Sequence, residues 1–259
     1  MSVLNLFRLD GKVAVVTGSS RGLGLAMAQG FAEAGAHVVL SSRNLDACER
    51  AATSMAGLGV QLLAVRCDVT NPNDVRVLIE RTLSRFGRVD ILANGAGCTW
   101  EEPLEKISLE QWNRMLSVHA TGTLLCCQAA GRQMIQQGSG RIVNLAPAGR
   151  LGPPDPGLEE TAALSTPSAA GGAVIALTRN LAAKWARHGI RVNAIAAGWF
   201  AHRGPAGRTE QKPTRVASGI PAGRWGEPDD LKAVAVFLAS EASECVTGQV
   251  LALEGGLQA

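Results

Sequence analysis

Seven short apolar runs, rich in β-branched residues, alternate with six segments of helical period along this chain. The runs are Val13–Thr17, Val38–Ser42, Gln61–Arg66, Ile91–Asn94, Arg141–Leu145, Arg191–Ala196 and Gln249–Leu253. The helical segments are Gly22–Ala34, Leu45–Ala56, Asn73–Phe86, Leu109–Gln137, Pro167–His188 and Pro228–Ala239. Strands that are apolar on both faces belong to a parallel sheet covered by helices on both sides. Right-handed crossovers then wind the chain into an α/β Rossmann fold with a doubly wound, seven-stranded parallel sheet. No Pro/Ser/Gly linker divides the 259 residues, so one domain over 1–259 is expected. The loops 146–165 and 201–226 follow strands at their C-terminal ends, where such sheets place function.

The first strand runs into a glycine turn and a helix, "VAVVTGSSRGLGLAMAQGFAEAGA". Gly18 permits a tight turn, Gly22 lets backbone approach a pyrophosphate, and Gly24 allows close packing of helix on strand. The helix start adds free N–H groups and the positive end of a dipole. Ser20, Arg21 and Leu23 complete the expected phosphate cradle.

A carboxylate at the end of the second strand would hold a ribose 2′-OH. Here that strand ends in Ser42 and Arg43, and Arg21 sits inside the glycine turn. Two guanidinium groups without a carboxylate suit a 2′-phosphate, so NADP(H) is expected over NAD(H). The plainer account of Arg43 is a solvated surface side chain.

Composition excludes several classes. A net charge of +3 without a Lys/Arg run gives no footprint for nucleic acid. No apolar stretch is long enough to span a membrane, and the first residues lack a signal-peptide pattern. The six cysteines form no CxxC pair and read as buried, reduced thiols of a cytoplasmic protein. The four histidines, 37, 119, 188 and 202, show no metal-ligand spacing. There is no tyrosine.

The stretch "TPSAAGG" (166–172) reads as a helix start, with Thr166 as N-cap and Pro167 at the first helical position. Its two glycines each cost the helix about 0.5–1 kcal/mol relative to alanine, which a cap alone does not explain.

Over nearly its whole length the sequence resembles the short-chain dehydrogenase/reductase family. The resemblance rests on Thr17–Gly24 ("TGSSRGLG"), on Cys67-Asp68-Val69 as an adenine-contacting turn, and on "ILANGAG". In the last, Asn94, Gly95, Ala96 and Gly97 stand for the family's Asn-Asn-Ala-Gly. "GRIVNL", "GIRVNAIAAG", "GRWGEPDDL" and "FLASEASECVTGQVLALEGG" follow in family order. Within the family the chain is similar to gluconate 5-dehydrogenase-like and 3-oxoacyl-reductase-like members.

The resemblance implies hydride transfer between a nicotinamide and an alcohol or ketone carbon, with four assisting side chains. The family's Tyr-x-x-x-Lys falls on Pro167 and Gly171, its serine on Pro147 and its asparagine on His119. The Pro-Gly before its nicotinamide loop becomes Ala197-Gly198, and the following threonine becomes His202. Proline and glycine carry no titratable group, and general acid–base help is worth about 10²–10⁴-fold.

The first expectation is therefore a non-catalytic subunit or regulatory partner of an active oxidoreductase of the family, in a homo- or hetero-oligomeric dimer or tetramer. The favoured form is a mixed tetramer with an active paralogue, with NADP(H) binding retained but weakened. A second is non-redox acid/base chemistry by His119 with Asp155, Glu159 and Glu160, although a satisfied helix histidine is the plainer account of His119. A third is an NADP(H)-dependent oxidoreductase whose acid is Ser165, Thr166 or Ser168. Trp199 is the aromatic residue expected to line a pocket, while Trp112 and Trp185 read as core or interface.

Overall fold

A computed structural model describes residues 2–98, 106–147, 165–201 and 220–257, with backbone alone for 165–168. The strands are β1 (Val13–Thr17), β2 (His37–Ser42), β3 (Leu62–Arg66), β4 (Ile91–Asn94), β5 (Gly140–Pro147), β6 (Ile190–Ala197) and β7 (Val250–Leu253). The helices are α1 (Gly22–Glu33), α2 (Leu45–Ser54), α3 (Pro72–Phe86), α4 (Leu109–Leu116), α5 (Gly122–Gln137), α6 (Ser165–Trp185) and α7 (Pro228–Ala239).

The strands form one parallel sheet in the order β3-β2-β1-β4-β5-β6-β7. Alternation along β1 shows why both faces must be covered. Ala14 and Val16 enter the core under α1, α2 and α7, with Met27, Phe31 and Leu231. Val13 and Val15 enter the core under α3, α5 and α6, with Leu78, Met134 and Leu181. Side chains alternate across a strand, so a strand without polar positions needs two apolar layers.

Caps set several helix starts. Asn71 accepts from Asn73 and Asp74 N–H ahead of Pro72, and Gly87 ends α3 in the left-handed region. Ser108 and Gln111 form a reciprocal capping box on α4.

The expected helix 109–137 is helical throughout but carries a π-helical turn, Ser117–Thr121, between α4 and α5. Helix α6 begins at Ser165, so Thr166 lies inside the helix rather than capping it. Strand order reverses between β1 and β4. Their C-terminal ends, Thr17 and Asn94, lie paired at the crevice where this topology binds ligands. Among the described residues no helix is long and apolar enough to cross a membrane.

Candidate active site

The turn after β1 is built as a cradle. Gly18 has φ +66°, and a Cβ there would stand 2.6 Å from both Ala96 Cα and the Gly95 carbonyl oxygen. A Cβ on Gly24 would overlap the Gly18 carbonyl, which brings α1 hard against the turn. At Gly22 a Cβ would meet nothing within 4 Å among the described residues. Arg21 precedes α1 without a side-chain capping bond, so its side chain satisfies none of the first N–H groups of the helix. Ser20 and Leu23 are half-buried beside them.

Ser19 is a site residue that sequence reasoning missed. Its Oγ donates to Val16 O at 2.8 Å and accepts Ser41 N–H at 2.8 Å, while its own N–H reaches Ser41 O at 3.1 Å. These bonds stitch the turn to β2. A serine in a turn is too common to flag this from sequence.

Arg21 and Arg43 are exposed, and neither is ion-paired to a described carboxylate. Ser42 is spent locally, its Oγ accepting Asn44 N–H and lying 3.1 Å from Cys48 Sγ. Asp68 closes an Asx turn by accepting Thr70 N–H at 3.0 Å and Thr70 Oγ at 2.7 Å. Burial opposes its charge, but the Thr70 bonds and the nearby Arg43 and Arg114 outweigh that and hold its carboxyl below the usual range. The neighbouring Val69 is buried and touches Gly122, where a Cβ would lie 2.7 Å from Val69 Cγ2.

At the end of β4, Asn94 Nδ2 donates to Asn144 Oδ1 at 2.8 Å, and Asn144 Nδ2 donates to Thr178 Oγ at 2.9 Å. Thr178 donates on to Val174 O at 2.8 Å. This buried chain ties α6 to the floor of the site. Gly95, which the resemblance aligns with an asparagine, is closely packed: a Cβ would stand 2.8 Å from Met27 Cε and 2.9 Å from Thr17 O.

His119 is 7% exposed and its Nε2 faces the Cys98 peptide group, 3.1 Å from N and 2.9 Å from O. Burial pushes its pKa below the ordinary imidazole value, with the Cys98 bond opposing. The ring is therefore neutral at pH 7, and its Nε2 is committed to backbone. Asp155, Glu159, Glu160 and His202 lie outside the described residues. Burial raises the Cys98 thiol against the pull of Arg114 and Arg43.

Pro147 ends β5, paired with Ala197 of β6. Gly171 is buried beneath it, and a Cβ there would overlap the Pro147 carbonyl oxygen. Trp199, half-buried after β6, meets Trp225 edge-on at 5.2 Å. Paired backbone bonds, Gly226 N–H to Trp199 O at 2.9 Å and Ala201 N–H to Gly226 O at 2.8 Å, hold the two segments together.

Among the described residues no cluster of His, Cys, Asp and Glu could hold a metal. Cys48, Cys67, Cys126 and Cys127 are buried as expected, Cys98 is half-buried, and Cys245 is exposed, against expectation. Burial pushes Cys67 and Cys127 up to about 12, which makes both inert.

A family model described as enoyl-(acyl carrier protein) reductase matches residues 18–258. The 2-dehydro-3-deoxy-D-gluconate 5-dehydrogenase of Dickeya dadantii is 37% identical, with 98% of each chain covered. The chain belongs to the short-chain dehydrogenase/reductase family. The D-threitol dehydrogenase of Mycolicibacterium smegmatis is 36% identical, covering 96% of this chain and 94% of its own. A crystal structure of a gluconate 5-dehydrogenase from Burkholderia cenocepacia, in complex with NADP and tartrate, superimposes with a TM-score of 0.88. It is 35% identical over 99% of this chain and 98% of its own.

These relatives correct the first functional expectation. Proteins aligned with this family member nearly end to end are named dehydrogenases, and that points to an active oxidoreductase rather than a non-catalytic subunit.

Proposed function

We propose that this protein is an NADP(H)-dependent oxidoreductase that interconverts an alcohol and a ketone on a small polyhydroxylated substrate, a sugar acid or a polyol. The observation that carries it is the cradle at the end of β1. Gly18 is seated on Gly95 and Ala96, a Cβ on Gly22 would meet no described residue within 4 Å, and Arg21 and Arg43 are exposed and ion-paired to no described carboxylate. The named activities of the relatives supply the substrate class, and a relative's structure in complex with NADP supports the cofactor.

A bound dinucleotide would supply the hydride. Gly18, Ser20, Gly22, Leu23 and Gly24 would hold its pyrophosphate with backbone N–H groups. Arg21 and Arg43, with Ser42 beside them, would take the 2′-phosphate. Asp68 and Val69 would flank the adenine, and Asn94 to Gly97 would line the ribose side.

The chain has no tyrosine, so another group handles the proton. Ser165, Thr166 and Ser168 stand in the first turn of α6, where the positive end of the helix dipole stabilises an alkoxide. That help is worth about 2 kcal/mol at most, so turnover is slow beside that of a phenol-based enzyme. Non-redox chemistry at His119 has no support, since its Nε2 is held by Cys98.

The test is isotopic. The protein is incubated with NADPH deuterated at the nicotinamide C4 and a panel of keto-sugar acids and ketoses. Deuterium at the carbinol carbon of a product is the expected result. NADPH binding without deuterium transfer to any member of the panel would remove the reading.

A further inference from the structure

We propose that His119 is a positioning residue: its imidazole clamps the Gly97–Cys98 turn and thereby holds the dinucleotide cradle closed at Gly18. The proposal rests on the oxidoreductase reading for its functional consequence and on geometry for its cause.

His119 lies in the middle of the π-helical turn Ser117–Thr121, between α4 and α5. A π turn inserted in a helix turns a side chain out of the regular series, and such turns gather at functional sites. Here it delivers the ring to the end of β4. Nε2 lies 3.1 Å from Cys98 N and 2.9 Å from Cys98 O. One ring nitrogen cannot donate and accept at once. In one neutral tautomer it accepts the Cys98 N–H; in the other it donates to the Cys98 carbonyl. Either way the ring is tied to the same residue. Burial keeps the imidazole neutral, so the accepting tautomer is available.

Two more contacts make this a clamp. Gly97 has room for the ring only because it lacks a side chain, as a Cβ would stand 2.7 Å from His119 Cε1. The Cys98 thiol lies 3.4 Å from Met115 Sδ, so α4 grips the same turn through a second group.

From there the contacts run into the cradle. Gly97 and Cys98 continue directly from Gly95 and Ala96, whose backbone atoms lie so close to Gly18 that a Cβ placed there would stand 2.6 Å from them. Packed backbone transmits small shifts because it has no slack. If the turn loosens at Cys98, the seat of Gly18 loosens with it. The residue after the π turn, Gly122, packs against the Asp68-Val69 turn, where a Cβ would stand 2.7 Å from Val69 Cγ2. His119 therefore acts on cofactor binding through the backbone, without touching the reacting atoms.

The test uses two substitutions in the full chain. Glutamine places an amide where Nε2 stands and carries both a donor and an acceptor for Cys98; leucine fills the space with neither. Readouts are NADPH affinity by fluorescence titration and hydrogen exchange at the Cys98 amide.

The expected result is that His119→Leu binds NADPH about tenfold more weakly, the size of one buried hydrogen bond, with faster Cys98 exchange. His119→Gln should restore both. Unchanged affinity and exchange in His119→Leu would overturn the proposal. So would equal weakening in both variants, because then ring shape rather than the Cys98 bond matters. If the wild-type protein binds neither NADPH nor NADH, the oxidoreductase reading fails and the cofactor role of His119 fails with it. Wild-type binding with indifferent variants sinks the clamp alone.

Discussion

Gly171 of α6 lies so close under Pro147 of β5 that a Cβ at 171 would overlap the Pro147 carbonyl oxygen. The adjacent Gly172 is exposed, and a Cβ there would meet nothing within 4 Å among the described residues. The two glycines of "TPSAAGG" thus have opposite standing. One lets a helix touch a strand end; the other costs helix stability without a packing return.

Alanine substitution should separate them. Gly172→Ala should stabilise the protein by about 0.5–1 kcal/mol, the helix-propensity gain. Gly171→Ala should destabilise it by about 1–3 kcal/mol, because overpacking against backbone outweighs the same gain. Urea midpoints of the two variants, moving in opposite directions, check both.

Lysine at position 171, where the family resemblance places a lysine, carries the same Cβ and adds a charged stem. Gly171→Lys should lower the urea midpoint at least as far as Gly171→Ala and should not raise turnover. A variant with wild-type stability would show that the α6–β5 approach is soft.

If NADP(H) is the cofactor, as proposed, removing the Arg21 or Arg43 guanidinium, neither ion-paired to a described carboxylate, should narrow the preference for NADPH over NADH. Loss of a charge-assisted bond of about 1.5–3 kcal/mol corresponds to roughly 10–100-fold in affinity. Arg43→Ala and Arg21→Ala should each weaken NADPH binding by that order and leave NADH binding nearly unchanged. Parallel titrations of both dinucleotides decide it.

His119 also makes stability depend on pH. Burial lowers its folded-state pKa below the unfolded value of about 6.5. The unfolded chain therefore binds the proton more readily, and stability rises with pH in this window. The contribution is present above about 6.5 and is lost as pH falls through the folded value. Urea midpoints between pH 5 and 7 should fall more steeply for the wild type than for His119→Gln.

Asn144→Leu should break the polar chain beneath the site. Asn94 Nδ2 would lose its 2.8 Å acceptor while remaining buried, a cost of about 1–3 kcal/mol. Thr178 keeps its own bond to Val174 O, so α6 stays helical. Denaturant unfolding with unchanged far-ultraviolet dichroism is the expected outcome.

Much of the fold was legible because its signals are local. Two-sided apolar runs and 3.6-residue periods are properties of neighbouring residues. The strands β1 and β4 and the helix α7 fall where the sequence reading places them, most other ends shift by a residue or two, and α6 ends three residues early at Trp185. The glycine turn was legible for the same reason, since strand, turn and helix are contiguous. The π turn at 117–121 was not: it needs no special residue type, and the segment keeps helical periodicity across it.

The sequence by itself determined the strand–helix alternation, the phosphate-type turn and the absence of a tyrosine anywhere in the chain. It could not say which of two adjacent glycines matters, because both have the same propensity. Only the neighbour across the sheet, the Pro147 carbonyl, distinguishes Gly171 from Gly172. Nor could it say whether His119 is a free acid or a bound one. That depends on Cys98, 21 residues away along the chain and 2.9 Å away in space. Propensity is set by a residue and its neighbours in sequence; contact and protonation are set by whatever the folded chain brings alongside.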